Sequence, residues 1–170
     1  IISELKANVK ERAENLMIVD LMRNDLTRVC QADSVSVPKL FDVETYATVH
    51  QLVSTVTGKL APGSDSVSAL EAAFPGGSMT GAPKLRAIEI IEELEQGSRG
   101  VYSGVAGYLG DNGSASFGMV IRSLVFENGM ISLGVGGGIT IDSEPASELA
   151  ETKLKALALL KALKASHLLG

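Results

Sequence analysis

Hydrophobic and polar positions along this chain change period at readable points. From Ser3 to Arg28 apolar residues recur at helical spacing, and Leu16-Met17-Ile18-Val19 is apolar almost all round, which predicts one long buried helix. Strands are predicted at about Ser34–Thr45 and Thr48–Lys59, then a short helix at Ser66–Phe74. A glycine-rich loop follows and opens into a helix over Ala82–Glu95, where Ile88, Ile91 and Leu94 supply a buried face. Three further strands are expected near Val101–Gly110, Ser114–Glu127 and Met130–Ile141. Asp111-Asn112-Gly113 and Glu127-Asn128-Gly129 lie between them and are hairpin signals, so the three read as an antiparallel meander. A last helix is predicted from about Pro145 to Ala165. Strands clustered between helices, without regular βαβ alternation, give an α+β class of antiparallel sheets with packed outer helices.

Composition narrows the function. With 170 residues, 45% of them hydrophobic, the chain is the size of one domain and long enough to bury a core. A net charge of −5 without basic clusters argues against a nucleic-acid partner. The longest apolar runs are interrupted by Asp20, Glu92 or Lys161, so no membrane-spanning segment is expected. A lone cysteine, Cys30, precludes an internal disulfide and fits a reducing cytoplasm. With only His50 and His167 beside it, no zinc spacing is available. The opening Ile1-Ile2-Ser3-Glu4 shows neither an initiator Met nor a signal-peptide pattern, which suggests a piece of a longer chain.

The glycine-rich loop is the first candidate for chemistry. Gly76, Gly77 and Gly81 let a ligand approach the backbone and permit positive φ, and Pro83 is expected at the first helical position. A helix start preceded by the hydroxyls of Ser78 and Thr80 suits an anion, although a tight loop with a well-made helix start explains the same residues. Neither familiar phosphate motif fits. A P-loop requires Lys-Ser or Lys-Thr after its last glycine, whereas Gly81 precedes Ala82-Pro83. A dinucleotide fingerprint starting at Gly134 fails because Ile139 stands at its third glycine.

Arg122 is the second. Strand alternation places it on one face with Val120, Leu124 and Phe126, where a guanidinium needs an anion: a protein carboxylate, or a carboxylate-bearing substrate gripped bidentately. Gly136-Gly137-Gly138, one hairpin later, weakens a strand and marks a bulge or a close approach of backbone to ligand. Two acid pairs share one helical spacing, Glu11 with Glu14 and Glu148 with Glu151. Each pair is a solvated surface by default, and Glu148 also suits the dipole of a helix's first turn. Converging on one pocket, the two pairs would instead offer hard oxygen ligands to Mg²⁺. Tyr102 shares a predicted strand face with Gly104, Ala106 and Tyr108, and His50 reads as a satisfied core histidine beside Leu52 and Val56.

Together these segments resemble the chorismate-utilising enzymes, and among them the aminodeoxychorismate synthase branch. The resemblance runs from about Lys10 to Leu163. It rests on Glu-Arg-Ala-Glu-Asn-Leu-Met-Ile-Val-Asp-Leu-Met-Arg-Asn-Asp-Leu (11–26), Val-His-Gln-Leu-Val-Ser (49–54), Gly-Gly-Ser-Met-Thr-Gly-Ala-Pro-Lys (76–84), Val-Ile-Arg-Ser (120–123) and Gly136–Gly138. It implies that residues 1–170 form the C-terminal portion of a single chorismate-binding domain with a sandwich fold. Glu14 and Glu151 would hold Mg²⁺, with Glu11 and Glu148 as water-mediated neighbours. Arg122, Tyr102, Gly136, Gly137 and Gly138 would contact the carboxylates of chorismate, and Ser78 and Thr80 would lie beside the substrate.

Two departures from the family pattern stand out. The Pro-Ile-x-Gly-Thr motif, whose x is the nucleophilic lysine of aminodeoxychorismate synthases, has no counterpart in these residues. Gln51 stands where many relatives carry a histidine near the leaving hydroxyl, and glutamine performs no acid–base work; His50 is expected to face the other way. The catalytic residue is therefore left unassigned. The implied activity is amination of chorismate at C4 to 4-amino-4-deoxychorismate, on the route to p-aminobenzoate and folate, with ammonia from a glutamine amidotransferase subunit or domain. Anthranilate synthase component I, and a fragment without activity of its own, are the alternatives.

Overall fold

The computed structural model describes residues 2–47 and 49–169, so Thr48, where the second strand was expected to begin, lies outside the described residues. The chain forms two compact units. One comprises residues 1–96 and 108–116, the other residues 97–107 and 117–170.

In the first unit the expected single N-terminal helix is two: α1 (Ile2–Ala7) and α2 (Val9–Thr27). Asn8 makes the break, because its side chain caps α2 by accepting the Glu11 N–H at 3.1 Å. Strands β1 (Ser36–Thr45) and β2 (His50–Thr57) pair antiparallel, Thr45 opposite His50, with register shifts either side of Lys39. At the second shift Phe41 takes φ 56°, and its N–H goes to Ser54 Oγ at 3.0 Å instead of the ladder. Helix α3 (Ser66–Ala73) starts in a capping box between Asp65 and Ser68. A 3-10 turn over Gly77–Met79 leads to α4 (Lys84–Leu94). Helix α2 packs against β2, α3 and this turn.

Among the described residues the expected three-strand meander is absent. Strands β3 (Val105–Leu109) and β4 (Ala115–Met119) form one two-stranded sheet, and β5 (Leu124–Glu127) and β6 (Met130–Leu133) form another. The reason is local. The chain leaves β4 at Met119, the Ile121 N–H turns back to Met119 O, and Arg122 takes φ 52° before β5 begins. Residues 134–140, expected as strand, are irregular. Helix α5 (Pro145–Ala162) closes the second unit with a 3-10 turn at Ser166–Leu169.

Burial is thinner than 45% hydrophobic content suggests. Among the described residues the buried hydrophobics are Val19 and Ala72 in the first unit and Ala156 in the second. Leu16, expected inside, is exposed, as are Leu85, Leu94, Phe126 and Met130. Among the described residues no helix is long and apolar enough to cross a membrane.

Candidate functional site

In the first unit, residues 14, 18, 21 and 25 recur at steps of four, three and four, so they line one stripe of α2. Glu14 is half-buried at the N-terminal end of that stripe, with Lys10 Nζ 3.8 Å from its Oε1. Glu11 is half-buried one turn earlier. Asn15, next to Glu14, holds α2 to the sheet. It donates from Nδ2 to Leu52 O at 3.3 Å and accepts from Ser54 Oγ at 2.5 Å. Ser54 in turn receives the Phe41 N–H, so a single hydroxyl joins α2, β1 and β2.

The glycine loop is seated on the same helix. Gly77 is buried, and a β-carbon on it would lie 2.8 Å from Leu21 Cδ1, so the backbone touches the helix only because no side chain is there. Of the three loop glycines only Gly81 takes positive φ, at 144°; Gly76 is extended at −60°. Thr80 Oγ1 donates to Gly76 O at 3.2 Å, while Ser78 is exposed. Pro83 is the N-cap of α4 rather than its first helical residue. The following Lys84 reaches Asp25 Oδ2 at 2.6 Å, both side chains well shielded. His50 bonds Thr45 Oγ1 through Nδ1 at 2.9 Å at the sheet's end, and Gln51 is exposed. His50 is thus satisfied, as expected, but by a strand neighbour at the margin of the sheet.

In the second unit Tyr102 lies in the turn before β3, not on a strand face. Its neighbour Ser103 is buried at φ 69° and accepts from Arg99 Nη1 at 3.1 Å. Arg99 lies 5.8 Å from the Tyr102 ring centre. The ring runs along the irregular segment after β6. A β-carbon on Gly134 would fall 2.6 Å from Tyr102 Cδ2, and one on Gly136 would fall 3.2 Å from Tyr102 Oη. Glycine is required for this contact, so the run marks a close approach, first of all to a tyrosine.

Helix α5 delivers the remaining groups. Glu144 caps it by accepting the Ser147 N–H at 2.9 Å, and that bond holds its pKa below the usual carboxylate range. Pro145 follows at the helix start, which fixes Glu148 and Glu151 on the first two turns. Glu148 is only 6% exposed, not the solvated first-turn acid that position alone suggests. A β-carbon on Gly137 would lie 3.3 Å from Glu148 Oε2. Lys155 ties the cluster together: its Nζ lies 2.6 Å from Glu151 Oε1 and donates to Gly136 O at 3.1 Å. Lys155 is not among the residues expected from the sequence, although a cation four residues after Glu151, on the face of the acid pair, is its signal there.

The second unit therefore gathers Tyr102, Gly136, Gly137, Glu148 and Glu151. Arg122 is exposed and, among the described residues, makes no ion pair, so the internal salt bridge that would explain it is not formed among them. Among the described residues no group of three or more His, Cys, Asp or Glu side chains is gathered as a metal site. Taken unit by unit, the expected ligands differ in setting. In the second, Glu148 is a buried carboxylate beside glycine backbone, a hard oxygen donor of the kind Mg²⁺ takes, while Glu151 is paired with Lys155. In the first, Glu14 is a half-buried carboxylate.

A family model described as chorismate binding enzyme matches residues 2–161. An aminodeoxychorismate synthase of Streptomyces pristinaespiralis is 54% identical over 165 residues, covering 97% of this chain and 23% of that protein. Component 1 of anthranilate synthase from Streptomyces coelicolor is 48% identical over 161 residues, 95% of this chain and 32% of that one. The crystal structure of anthranilate synthase component I from Streptococcus pneumoniae superimposes with a TM-score of 0.84 at 41% identity, covering 91% of this chain and 35% of that chain. The chain thus spans under a quarter of the synthase and about a third of the anthranilate enzymes.

Proposed function

This chain belongs to the chorismate binding enzymes, and we propose that it is the substrate-binding C-terminal portion of a single chorismate-binding domain in an aminodeoxychorismate synthase. The parent enzyme would aminate chorismate at C4, giving 4-amino-4-deoxychorismate with ammonia from a glutamine amidotransferase subunit or domain, in the cytoplasm. One observation carries the reading: the Tyr102 hydroxyl, the Gly136–Gly137 backbone, Glu148 and the Lys155–Glu151 pair are gathered in the second unit. Greater identity to the synthase than to anthranilate synthase, 54% against 48%, favours amination at C4. The exposed apolar faces of α4, β5 and β6 support a domain completed by further chain.

Each residue has work that its chemistry allows. Arg122, exposed and unpaired among the described residues, grips a substrate carboxylate in a bidentate, charge-assisted pair. Tyr102 offers a hydroxyl donor at the edge of the glycine run, and the amides of Gly136, Gly137 and Gly138 face the same carboxylate. Ser78 and Thr80 offer hydroxyls beside the substrate. Glu14 and Glu151 would hold Mg²⁺, with Glu11 and Glu148 bound to its waters. When bound, the ion supplies positive charge that neutralises a carboxylate and eases departure of the C4 hydroxyl. Gln51 performs no proton transfer in this scheme.

The test is an assay of the full-length protein with chorismate, ammonia and Mg²⁺, coupled to aminodeoxychorismate lyase and reading p-aminobenzoate. Formation of p-aminobenzoate supports the proposal. Fluorescent anthranilate formed without the lyase would reassign the protein to anthranilate synthase.

A further inference from the structure

Asp25 is 5% exposed at the C-terminal end of the stripe that begins at Glu14, and no role proposed above uses it. Its partner Lys84 stands at the first residue of α4, immediately after the loop that carries Ser78 and Thr80. A shielded ion pair at 2.6 Å is an expensive way to hold a helix and a loop together, since both charges lose hydration. The loop already meets α2 once, where Gly77 sits on Leu21. Leu21 and Asp25 are four residues apart, so the two anchors lie one above the other on the same face. Between them are Ser78, the Thr80 hydroxyl bonded to Gly76 O, and the positive-φ turn at Gly81.

We infer that Asp25 and Lys84 form a positioning clasp that fixes the hydroxyl-bearing loop along the helix that also carries Glu11 and Glu14. Glu14 and Asp25 are eleven residues apart on one rigid helix, about 16 Å along its axis. Pinning the loop to the far end of that stripe therefore sets Ser78 and Thr80 in fixed register with the acids. Neither residue touches substrate. Their effect passes through the loop, and the inference rests on the chorismate reading only for what the loop does there.

The test compares Lys84→Met, Asp25→Asn, the uncharged double variant Asp25→Asn with Lys84→Met, and Lys84→Arg in the full-length enzyme. The double variant leaves no buried charge unpaired, so it stays readable if either single variant unfolds. Amide hydrogen exchange should quicken at least about tenfold across residues 77–82 in the charge-loss variants while residues 16–23 of α2 keep their protection. In the same variants the chorismate KM should rise about tenfold or more with kcat changed less than about threefold, the signature of lost binding geometry. Lys84→Arg restores the pair and should return both readouts towards wild type. Unchanged loop exchange in the folded double variant overturns the clasp, and quickened exchange with an unchanged KM overturns its role in the site. A wild-type enzyme without chorismate affinity defeats the functional proposal instead, and leaves loop exchange to judge the clasp.

Discussion

The two units hold their candidate groups by opposite means. In the first, side chains reach across: Asn15 and Ser54 join helix to sheet, and Lys84 and Asp25 join loop to helix. In the second, backbone comes close. The Tyr102 ring lies along Gly134 and Gly136, and Lys155 bonds a glycine carbonyl. A site built on paired charges is sensitive to deleting an atom group. One built on bare backbone is sensitive to adding a methyl. Substitutions chosen on that basis should give contrasting responses in the two regions.

The largest effect is expected where a charge is stranded. Lys84→Ala leaves the Asp25 carboxylate buried without its cation, and removing one partner of a buried pair typically costs about 3–5 kcal/mol. Equilibrium urea unfolding should show the loss as a lower midpoint at unchanged slope. A loss below about 1 kcal/mol would mean that water reaches Asp25 freely, as at a surface pair.

Next comes the added methyl. Gly134→Ala would drive a β-carbon into the Tyr102 ring close to its own β-carbon, where the side chain cannot swing aside. Overpacking of this kind costs about 1–3 kcal/mol, and it should also displace the Tyr102 hydroxyl and weaken chorismate binding. Gly118→Ala, with open space around the position, is the control and should leave binding unchanged. Equal behaviour of the two variants would remove the basis of the comparison.

Arg122 separates stability from binding. Replacing it with Ala deletes one bidentate contact worth about 1.5–3 kcal/mol to a bound carboxylate, with little effect on folding. Because its φ is 52°, Arg122→Gly should fold more stably than Arg122→Ala by about 1 kcal/mol while binding chorismate just as poorly. The reverse order of stability would restore the strand conformation that alternation predicts.

What the chain's pattern disclosed, and what it hid, follows the same division. Helices α3, α4 and α5 were legible because caps and period agree: Asp65, Pro83 and Glu144-Pro145 start them within two residues of expectation. Asn8 was passed over because an asparagine inside a helical period reads as a tolerated polar position, until its side chain captures the Glu11 N–H. The strand through Val120–Ser123 failed because alternation describes side chains and is blind to a backbone that turns back on itself at Ile121. Tyr102 and the glycine run were each legible as candidates. Their direct contact was not, since 34 positions separate Tyr102 from Gly136 and no local rule joins them. Lys155 was hidden by composition, one lysine among several on α5.

The smallest effect expected lies at the helix starts, one in each unit, and acid should reveal it. Asp65 accepts the Ser68 N–H and Glu144 accepts the Ser147 N–H, and these bonds hold both pKa values below the ordinary carboxylate range. A carboxylate whose folded pKa is lowered stabilises the fold at pH above its unfolded value, and that contribution fades as pH falls through the lowered one. Both caps are therefore at full strength at neutral pH and weaken on the acid side of pH 4. Both are also fully exposed, so salt and water screen them and the change stays small. Asp65→Asn keeps an N-cap acceptor without a titrating group, so at neutral pH it should cost little, and its unfolding midpoint should fall less steeply between pH 5 and pH 3 than that of the unsubstituted chain. Asp65→Ala should lose the cap at every pH, so its unfolding midpoint should already lie lower near neutrality. Parallel pH profiles for the asparagine variant and the unsubstituted chain would show that this capping carboxylate is not depressed, and would leave the Asp25–Lys84 pair between α2 and α4 as the first unit's dominant electrostatic anchor.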